Sequence, residues 1–221
     1  MIRVYVLCEG HTEENFVNEL LTPWFEGKGI MLSPFIHSPR RDADGTKYKG
    51  GGATYGKIRN ALNRLCHEHA NEYVTMMFDY YQIPRDTPGN DISCASALDK
   101  ALHLEEQISR DIGNRNFIPN IILHEFEGLL FSAPEAFAYC DLPSGGISEL
   151  QGIRDSHESP EHIDDGITTA PSKRILALHP AYRKVIDGVI IARDIGIDKI
   201  MSECRHFSGW IDKILNLKGE S

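Results

Sequence analysis

The fold class follows from a nearly continuous apolar segment, Tyr73-Val74-Thr75-Met76-Met77-Phe78-Asp79. A strand that is apolar on both faces is typical of the interior of a parallel sheet, because helices cover both sides of such a sheet. The segment ends at an aspartate. We therefore expect a buried strand whose carboxyl end carries an acidic side chain.

Further predicted strands and helices alternate around this segment. The other predicted strands cover residues 2–7, 30–36 and 118–123. Apolar residues at helical spacing predict helices after Thr12, after Thr54 and from about Ser93 to Ile112. Strands that alternate with helices of this length are typical of parallel sheets with helices on both faces. The sequence thus predicts an α/β fold with a mostly parallel four-stranded sheet flanked by helices.

The last third of the chain has a different pattern. Strand signals fade after Glu127, and helices are predicted for residues 131–139, 148–154, 172–178, 182–195 and 201–217. A chain of 221 residues can bury one core of good size, so two independent domains are not expected. We predict an α/β core over residues 1–140 and a helical annex over 141–221, packed on the core as one structural unit.

Composition narrows the classes of function. The formal net charge of −9 argues against a protein that coats nucleic acid by bulk electrostatics, so any contact with DNA must be local. No apolar run approaches the roughly 18 to 20 residues of a membrane span, and the start of the chain lacks the pattern of a signal peptide. Five cysteines, without a C-x-x-C pair, fit a reducing compartment. We expect a cytoplasmic protein that does not bind a membrane.

Acidic residues follow three of the predicted strands: Glu9, Asp79, Glu125 and Glu127. The carboxyl ends of parallel strands meet at one edge of a sheet, where ligands bind in open α/β folds. Carboxylate oxygens are the ligands that Mg²⁺ prefers. The pattern predicts a metal site at this edge, although any one of these residues alone is equally typical of a helix N-cap or a solvated loop.

Two motifs carry a resemblance to a known family. Residues 7–14, Leu-Cys-Glu-Gly-His-Thr-Glu-Glu, resemble the first motif of Toprim domains, in which an apolar strand ends in Glu-Gly. Residues 78–81, Phe-Asp-Tyr-Tyr, stand where Toprim proteins carry an Asp-x-Asp pair. Together with residues 124–131 and 171–174, these motifs make the whole chain similar to the Toprim-like domain-of-unknown-function family numbered 4276, which is related to the nucleases of overcoming-lysogenization-defect proteins.

The resemblance implies a site for Mg²⁺ or Mn²⁺ in which Glu9 acts as general base or metal-linked acid and Asp79 binds the ion. Tyr81 replaces the usual second aspartate, so we expect Glu127 or Glu125 to supply the missing oxygen. The implied activity is that of a metal-dependent nuclease, with DNA as the expected substrate. The resemblance further implies an AAA or SMC-like ATPase partner and a role in defence against phage.

Basic residues supply candidates for binding phosphate. His11 adjoins the first carboxylate motif, Lys173 and Arg174 open a predicted helix, and Arg40 and Arg41 lie in a glycine-rich segment. Each is equally consistent with an exposed, solvated position. The segment from Gly51 to Lys57 has the spacing of a P-loop up to its lysine, but Ile58 stands where serine or threonine would bind magnesium, so no nucleotide site is predicted.

A second class of function stays open, that of a catalytically degenerate Toprim subunit that binds and regulates a partner ATPase. Its docking face would be the last helix, with the apolar stripe Phe207, Trp210, Ile211, Ile214 and Leu217. Such a stripe is more often part of the core. A phosphotransferase or nucleotide hydrolase that uses the same metal is a third, less favoured alternative.

Overall fold

A computed structural model of the chain describes residues 1–37, 54–164, 166 and 168–217. Within these ranges, five strands form one sheet: β1 (Ile2–Cys8), β2 (Ile30–Ile36), β3 (Tyr73–Asp79), β4 (Phe117–Ile118) and β5 (Ile121–Ile122). The strand order is β2-β1-β3-β4, β5 also pairs with β3, and every pairing is parallel. The predicted α/β fold with its parallel sheet is confirmed.

The predicted fourth strand is interrupted. β4 pairs with the start of β3 and β5 pairs with its end, so the two short strands continue one line along β3. Pro119 has no backbone N–H to donate to the sheet. Asn120 Nδ2 donates to the Met76 carbonyl oxygen at 3.2 Å, and the Ile121 N–H donates to Glu105 Oε1 at 2.9 Å. The prediction of one continuous strand over 118–123 was therefore wrong, although the position of the strand was right.

The helices of the first half follow the apolar spacing closely. α1 (His11–Phe16), a π-helical turn (Val17–Leu21) and α2 (Thr22–Glu26) form one helical stretch, followed later by α3 (Tyr55–Glu68) and α4 (Ala97–Ile112). α1 starts before Thr12, with Gly10 as its N-cap. α4 starts later than predicted, because the Ser96 hydroxyl accepts a hydrogen bond from the Asp99 N–H and caps it.

The later elements are helices, and the longer predicted ones are divided into shorter pieces. They are α5 (Phe126–Leu130), α6 (Gly146–Asp155), α7 (Pro171–Leu178), α8 (Val189–Ile195), α9 (Ile197–Glu203) and α10 (Arg205–Leu215), with 3₁₀ turns at Pro134–Tyr139 and Pro160–His162 and a π-helical turn at Lys184–Gly188. The single helix predicted for 201–217 is broken at Cys204, whose backbone is extended. The helix predicted for 131–139 is instead a 3₁₀ turn that follows α5.

Apolar side chains pack on both faces of the sheet. On β1, Val4 and Val6 point to the face covered by α1, α2, α5 and α8–α10, whereas Tyr5 and Leu7 point to the face covered by α3 and α4. The period of two along the strand produces this division. Residues from beyond position 141 share the first cluster with β1, so the annex helices pack directly on the sheet. The boundary at residue 140 itself stays a prediction.

The apolar stripe of α10 lies in the core. Phe207, Trp210, Ile211 and Ile214 are at most 1% exposed, and Leu217 packs partly buried against the same cluster. The Trp210 indole N–H donates to Thr75 Oγ1 at 2.9 Å, which ties α10 to the middle of β3. A docking face built on this stripe is therefore excluded, because the sheet already covers it.

Cys8, Cys66 and Cys204 are buried, and all five cysteines are free thiols. Burial raises the pKa of the Cys66 thiol to about 11 and raises the pKa of the other two as well. Thiols with raised pKa are poor nucleophiles at neutral pH, so these cysteines are core residues. Among the helices of the described ranges, none has the length and apolarity needed to cross a membrane.

The start of α10 yields a prediction about stability. Glu161, 6% exposed, accepts hydrogen bonds from the N–H groups of His206 and Phe207, both at 2.9 Å. Glu161→Gln removes the charge and replaces one accepting oxygen by an NH2 group, which then faces a backbone N–H. We therefore expect a loss of about 1 to 3 kcal/mol in the free energy of unfolding. Unfolding in guanidinium chloride measures this loss.

The matched control is Glu158→Gln, because the Glu158 side chain is 82% exposed on the neighbouring turn. We expect that change to stay within about 0.5 kcal/mol of the unsubstituted protein. Equal stability of the two variants would show that Glu161 does not hold the start of α10.

Candidate functional site

Acidic side chains gather at the carboxyl edge of the sheet. β1 ends one residue before Glu9, and the Glu9 N–H still donates to the Met77 carbonyl oxygen of β3 at 3.1 Å. β3 itself ends at Asp79, and the chain after β5 turns into α5 through Glu125. This edge is where an open α/β sheet places its ligands, so the predicted location of the site agrees with the fold.

Asp79 lies at the centre of the arrangement. It is 2% exposed, its Oδ1 accepts a hydrogen bond from the Phe126 N–H at 2.9 Å, and its Oδ2 accepts one from Lys184 Nζ at 3.0 Å. The Asp79 N–H in turn donates to Glu9 Oε2 at 3.0 Å. Adjacent parallel strands thus bring the two predicted residues, Glu9 and Asp79, into direct contact.

Glu127, in the first turn of α5, is fully buried beside Asp79. Its Oε2 lies 3.0 Å from Lys184 Nζ, so one ammonium group pairs with two buried carboxylates. The other carboxylate oxygen of Glu127, Oε1, has no hydrogen-bond partner among the described residues. Burying a carboxylate oxygen without a hydrogen bond costs free energy of folding, so this residue calls for a functional explanation.

Glu125 has a different partner although it is only two residues away. Its Oε2 accepts a hydrogen bond from the Ser172 N–H at 3.0 Å, at the start of α7. The preceding residue, His124, has a φ of +58°, a left-handed backbone conformation that residues other than glycine seldom adopt. This sharp turn joins β5 to α5 and sends Glu125 toward α7, whereas Glu127 faces Lys184.

Glu9, Asp79, Glu127, Lys184 and Glu13 form one cluster. Two of these residues, Glu13 and Lys184, were not predicted from the sequence. Glu13 is 4% exposed, accepts a hydrogen bond from the Gly10 N–H at 2.9 Å and interacts electrostatically with Asp79 and Lys184. In the sequence it has the ordinary pattern of an acidic residue in the first helical turn. Lys184 lies 105 residues beyond Asp79, and the only signal for it was its place beside Arg183 before an apolar helical run.

Burial and mutual repulsion shift the protonation equilibria. Burial, aided by the charge of Asp79, raises the pKa of Glu9 to about 8. Burial likewise raises the pKa of Glu127 to about 7, with Lys184 opposing, and raises those of Asp79 and Glu13. Burial acts to lower the pKa of Lys184, but Asp79 and Glu127 together raise it. Four carboxylates share one ammonium, so the cluster has a deficit of positive charge.

The candidate phosphate ligands lie outside this cluster or beyond the described residues. His11 is exposed, with Nδ1 3.2 Å from Glu14 Oε2. Lys173 is exposed in the first turn of α7, and Arg174 Nε donates to the Thr169 carbonyl oxygen at 2.6 Å. Arg40 and Arg41 fall in the range 38–53, outside the described residues. A phosphate-binding role stays a prediction for all five.

The residues of the cluster fit a divalent cation in chemistry. All candidate ligands are carboxylates, which suits a hard cation, and Oε1 of Glu127 is buried without a hydrogen-bond partner among the described residues. As the described side chains stand, no three histidine, cysteine or acidic groups are arranged to hold an ion. Lys184 lies between Asp79 and Glu127 and supplies the positive charge there. The metal ligands predicted from the sequence, Glu9, Asp79, Glu125 and Glu127, therefore stay a prediction.

The raised pKa values lead to a prediction about pH and stability without metal. Glu9 has a pKa of about 8 in the folded protein against an ordinary value of 4.5, so the folded state holds its proton more tightly than the unfolded chain. Its contribution to stability is therefore lost as pH rises from about 4.5 to about 8. Glu9→Gln cannot ionise, and we expect urea unfolding in EDTA to show a shallower decline of stability over this range.

Groups outside the cluster contribute equally to both proteins, so the difference in slope belongs to Glu9 and to the carboxyl groups that interact with it. Glu14→Gln serves as the control, because Glu14 lies close by in the sequence, in α1, and pairs with the exposed His11. We expect its pH profile to match that of the unsubstituted protein. An identical slope for Glu9→Gln and the unsubstituted protein would mean that the Glu9 carboxylate is not destabilised by burial.

Comparison with solved structures finds weak similarity over the whole chain. Two structures of the C-terminal region of the Xanthomonas campestris pv. campestris OLD protein, one phased with iodine and one with platinum, are each 16% identical to this chain. The first has a TM-score of 0.38 and covers 97% of this chain and 96% of that one; the second has a TM-score of 0.36, with 96% and 95% covered. No curated protein matches the sequence.

A family model gives the clearer relationship. The model described as "Domain of unknown function (DUF4276)" matches residues 8–215. The match includes the strand ends that carry Glu9 and Asp79, the α5 segment with Glu127, and the annex turn with Lys184. The chain therefore belongs to the DUF4276 family.

Proposed function

We propose that this chain is a Toprim-like, divalent-metal-dependent nuclease that hydrolyses phosphodiester bonds, with DNA as its expected substrate. The observation that carries the proposal is the convergence of Glu9, Asp79 and Glu127 at the carboxyl edge of the sheet, with the pKa of each raised. Perturbed carboxylates at a ligand-binding edge mark functional sites more often than structural ones. A cluster that served stability alone would be better replaced by apolar side chains.

The residues divide naturally between binding and proton transfer. Asp79 and Glu127 would hold the cation, since they are the two most deeply buried carboxylates and lie on either side of the same ammonium. Glu9, with a pKa of about 8, would accept a proton near neutrality, and the Asp79 N–H orients it. A bound divalent cation supplies electrostatic stabilisation of the charge that develops on a phosphodiester.

The donor set favours Mg²⁺ or Mn²⁺. The candidate metal ligands in the described part of the chain are all carboxylates, whereas zinc sites are usually built from cysteine and histidine. The acidic chain has no excess of basic residues to hold DNA by itself. We therefore propose that it acts with an AAA or SMC-like ATPase, as the effector of a cytoplasmic defence system against phage, and that His11, Arg40, Arg41, Lys173 and Arg174 contact phosphate locally.

One observation favours a second candidate, a degenerate subunit that binds and regulates the ATPase without cleaving DNA. Lys184 already pairs with both Asp79 and Glu127, and Tyr81 stands, half exposed, where a second aspartate would complete the motif. In this alternative the cluster serves as a structural ion pair. The two candidates differ in whether the chain, with metal, breaks a phosphodiester bond.

A cleavage assay separates the two candidates. Supercoiled plasmid, single-stranded DNA and RNA are each incubated with the full chain and Mg²⁺ or Mn²⁺, and nicked or shortened products are measured on gels. We expect cleavage by the unsubstituted protein and a loss of about 100-fold or more for Glu9→Gln and for Asp79→Asn, because each change removes a charged oxygen from the site.

Glu14→Gln is the matched control, since it changes the same residue type in α1 outside the cluster, and it should cleave normally. All variants are first checked by circular dichroism for a folded state. Absence of cleavage by every protein, also with the partner ATPase and ATP present, would contradict the nuclease and favour the regulatory subunit.

A further inference from the structure

We infer that Lys184 is a built-in counter-ion, which takes the place of the divalent cation between Asp79 and Glu127 in the metal-free protein and leaves it when the cation binds. The inference rests on the proposed metal site and concerns how that site is controlled. The Lys184 ammonium and the divalent cation are then alternative positive partners of the same pair of carboxylates.

The first step of the argument is the need for a cation. The side chains of Asp79 and Glu127 are 2% and 1% exposed, and Lys184 Nζ is 3.0 Å from an oxygen of each. Removing one member of a buried ion pair leaves an uncompensated charge, which strongly destabilises a protein. The folded chain therefore requires a positive charge at this point whether or not metal is available.

The second step is that the ammonium leaves this requirement only partly met. Lys184 donates a hydrogen bond to Asp79 and pairs with Oε2 of Glu127, while Oε1 of Glu127 has no hydrogen-bond partner within the described part of the chain. The carboxyl groups of Glu9 and Glu13 also lie near enough to interact electrostatically with Asp79 and Lys184. A divalent cation carries twice the charge and accepts six or more oxygen ligands, so it satisfies this set better than one ammonium does.

The third step concerns the exposure and flexibility of the Lys184 side chain. Its side chain is 33% exposed and has a flexible four-carbon stem. It begins the π-helical turn Lys184–Gly188, and the two residues that follow it, Val185 and Ile186, are 40% and 47% exposed. π-helical turns recur at functional sites. The Lys184 side chain therefore lies at the border between the buried carboxylates and solvent.

Another buried lysine shows what a permanent structural role looks like. Lys100 is 7% exposed, and its Nζ donates to the carbonyl oxygens of Gly89, Asn90 and Ile92, which use all three of its protons. Those acceptors are neutral and would not attract a divalent cation in competition. Lys184 differs on each count: it is more exposed, its acceptors are charged, and these acceptors are the groups that a metal would bind.

The consequence is that Lys184 sets the metal concentration at which the site fills. Binding of the cation must first separate the ammonium from both carboxylates, so the measured affinity is lower than the carboxylates alone would give. Removing the ammonium should strengthen metal binding and at the same time weaken the metal-free fold. A purely structural lysine would produce only the second effect.

The test compares Lys184→Met with the unsubstituted full chain by two measurements, Mn²⁺ affinity from calorimetric titration and the melting temperature in EDTA or in excess Mn²⁺. We expect Lys184→Met to bind Mn²⁺ at least about tenfold more tightly and to melt about 10 °C lower in EDTA, with Mn²⁺ restoring most of the loss. Lys199→Met is the matched control, because Lys199 pairs with Glu203 at the surface, and both quantities should stay unchanged.

A measurement on the unsubstituted protein keeps the inference testable if Lys184→Met does not fold. The ammonium signal of Lys184 is followed by NMR in lysine-labelled protein, assigned by its loss in Lys184→Arg, during titration with Mg²⁺. We expect the signal to move to the position of a solvated lysine at the same Mg²⁺ concentration that saturates binding. A signal that stays unchanged while Mg²⁺ binds would overturn the inference.

The outcomes separate this inference from the proposed function. Equal or weaker Mn²⁺ binding by Lys184→Met, with clear binding by the unsubstituted protein, would reject the role of Lys184 and leave the metal-dependent nuclease intact. Absence of Mn²⁺ binding by both proteins would reject the metal site and the inference together. Tighter binding by the variant, with the control unchanged, supports the displacement of Lys184.

Discussion

The ion pair of Lys184 with Asp79 and Glu127 is the interaction on which the rest of the arrangement depends. Asp79 comes from the end of β3, Glu127 from α5 and Lys184 from the turn before α8, so one ammonium joins the sheet, the helix that follows it and the annex. Charges this deeply buried are tolerated only with a partner. The annex is thus required for the site as well as for the core.

The large core supplies the stability that offsets the burial of these charged groups. Apolar side chains pack on both faces of the sheet, and Trp210, at 1% exposure, joins α10 to β3 through Thr75. Each fully buried large apolar side chain contributes roughly 1.5 to 3 kcal/mol. Against that background, carboxylates with raised pKa values can persist at the edge of the sheet.

The sheet and three residues of the candidate site, Glu9, Asp79 and Glu127, were predictable because their signals are local. The run from Tyr73 to Phe78 is nearly continuously apolar, and Glu9 follows a short β-branched strand, so both strand ends could be located from the sequence. Lys184 and Glu13 were not predictable, since only the tertiary fold brings them to Asp79. The break in the fourth strand was predictable from Pro119. The break in the last predicted helix at Cys204 was not, because Cys204 is not a residue type that favours a turn.

The most direct test of this account is a crystal structure of the full chain grown with Mn²⁺, with diffraction data collected at the manganese absorption edge. The account predicts an anomalous peak about 2.1 to 2.2 Å from carboxylate oxygens of Asp79 and Glu127, with the Lys184 ammonium moved away from both. A manganese ion bound elsewhere, with Lys184 still paired to the two carboxylates, would contradict it.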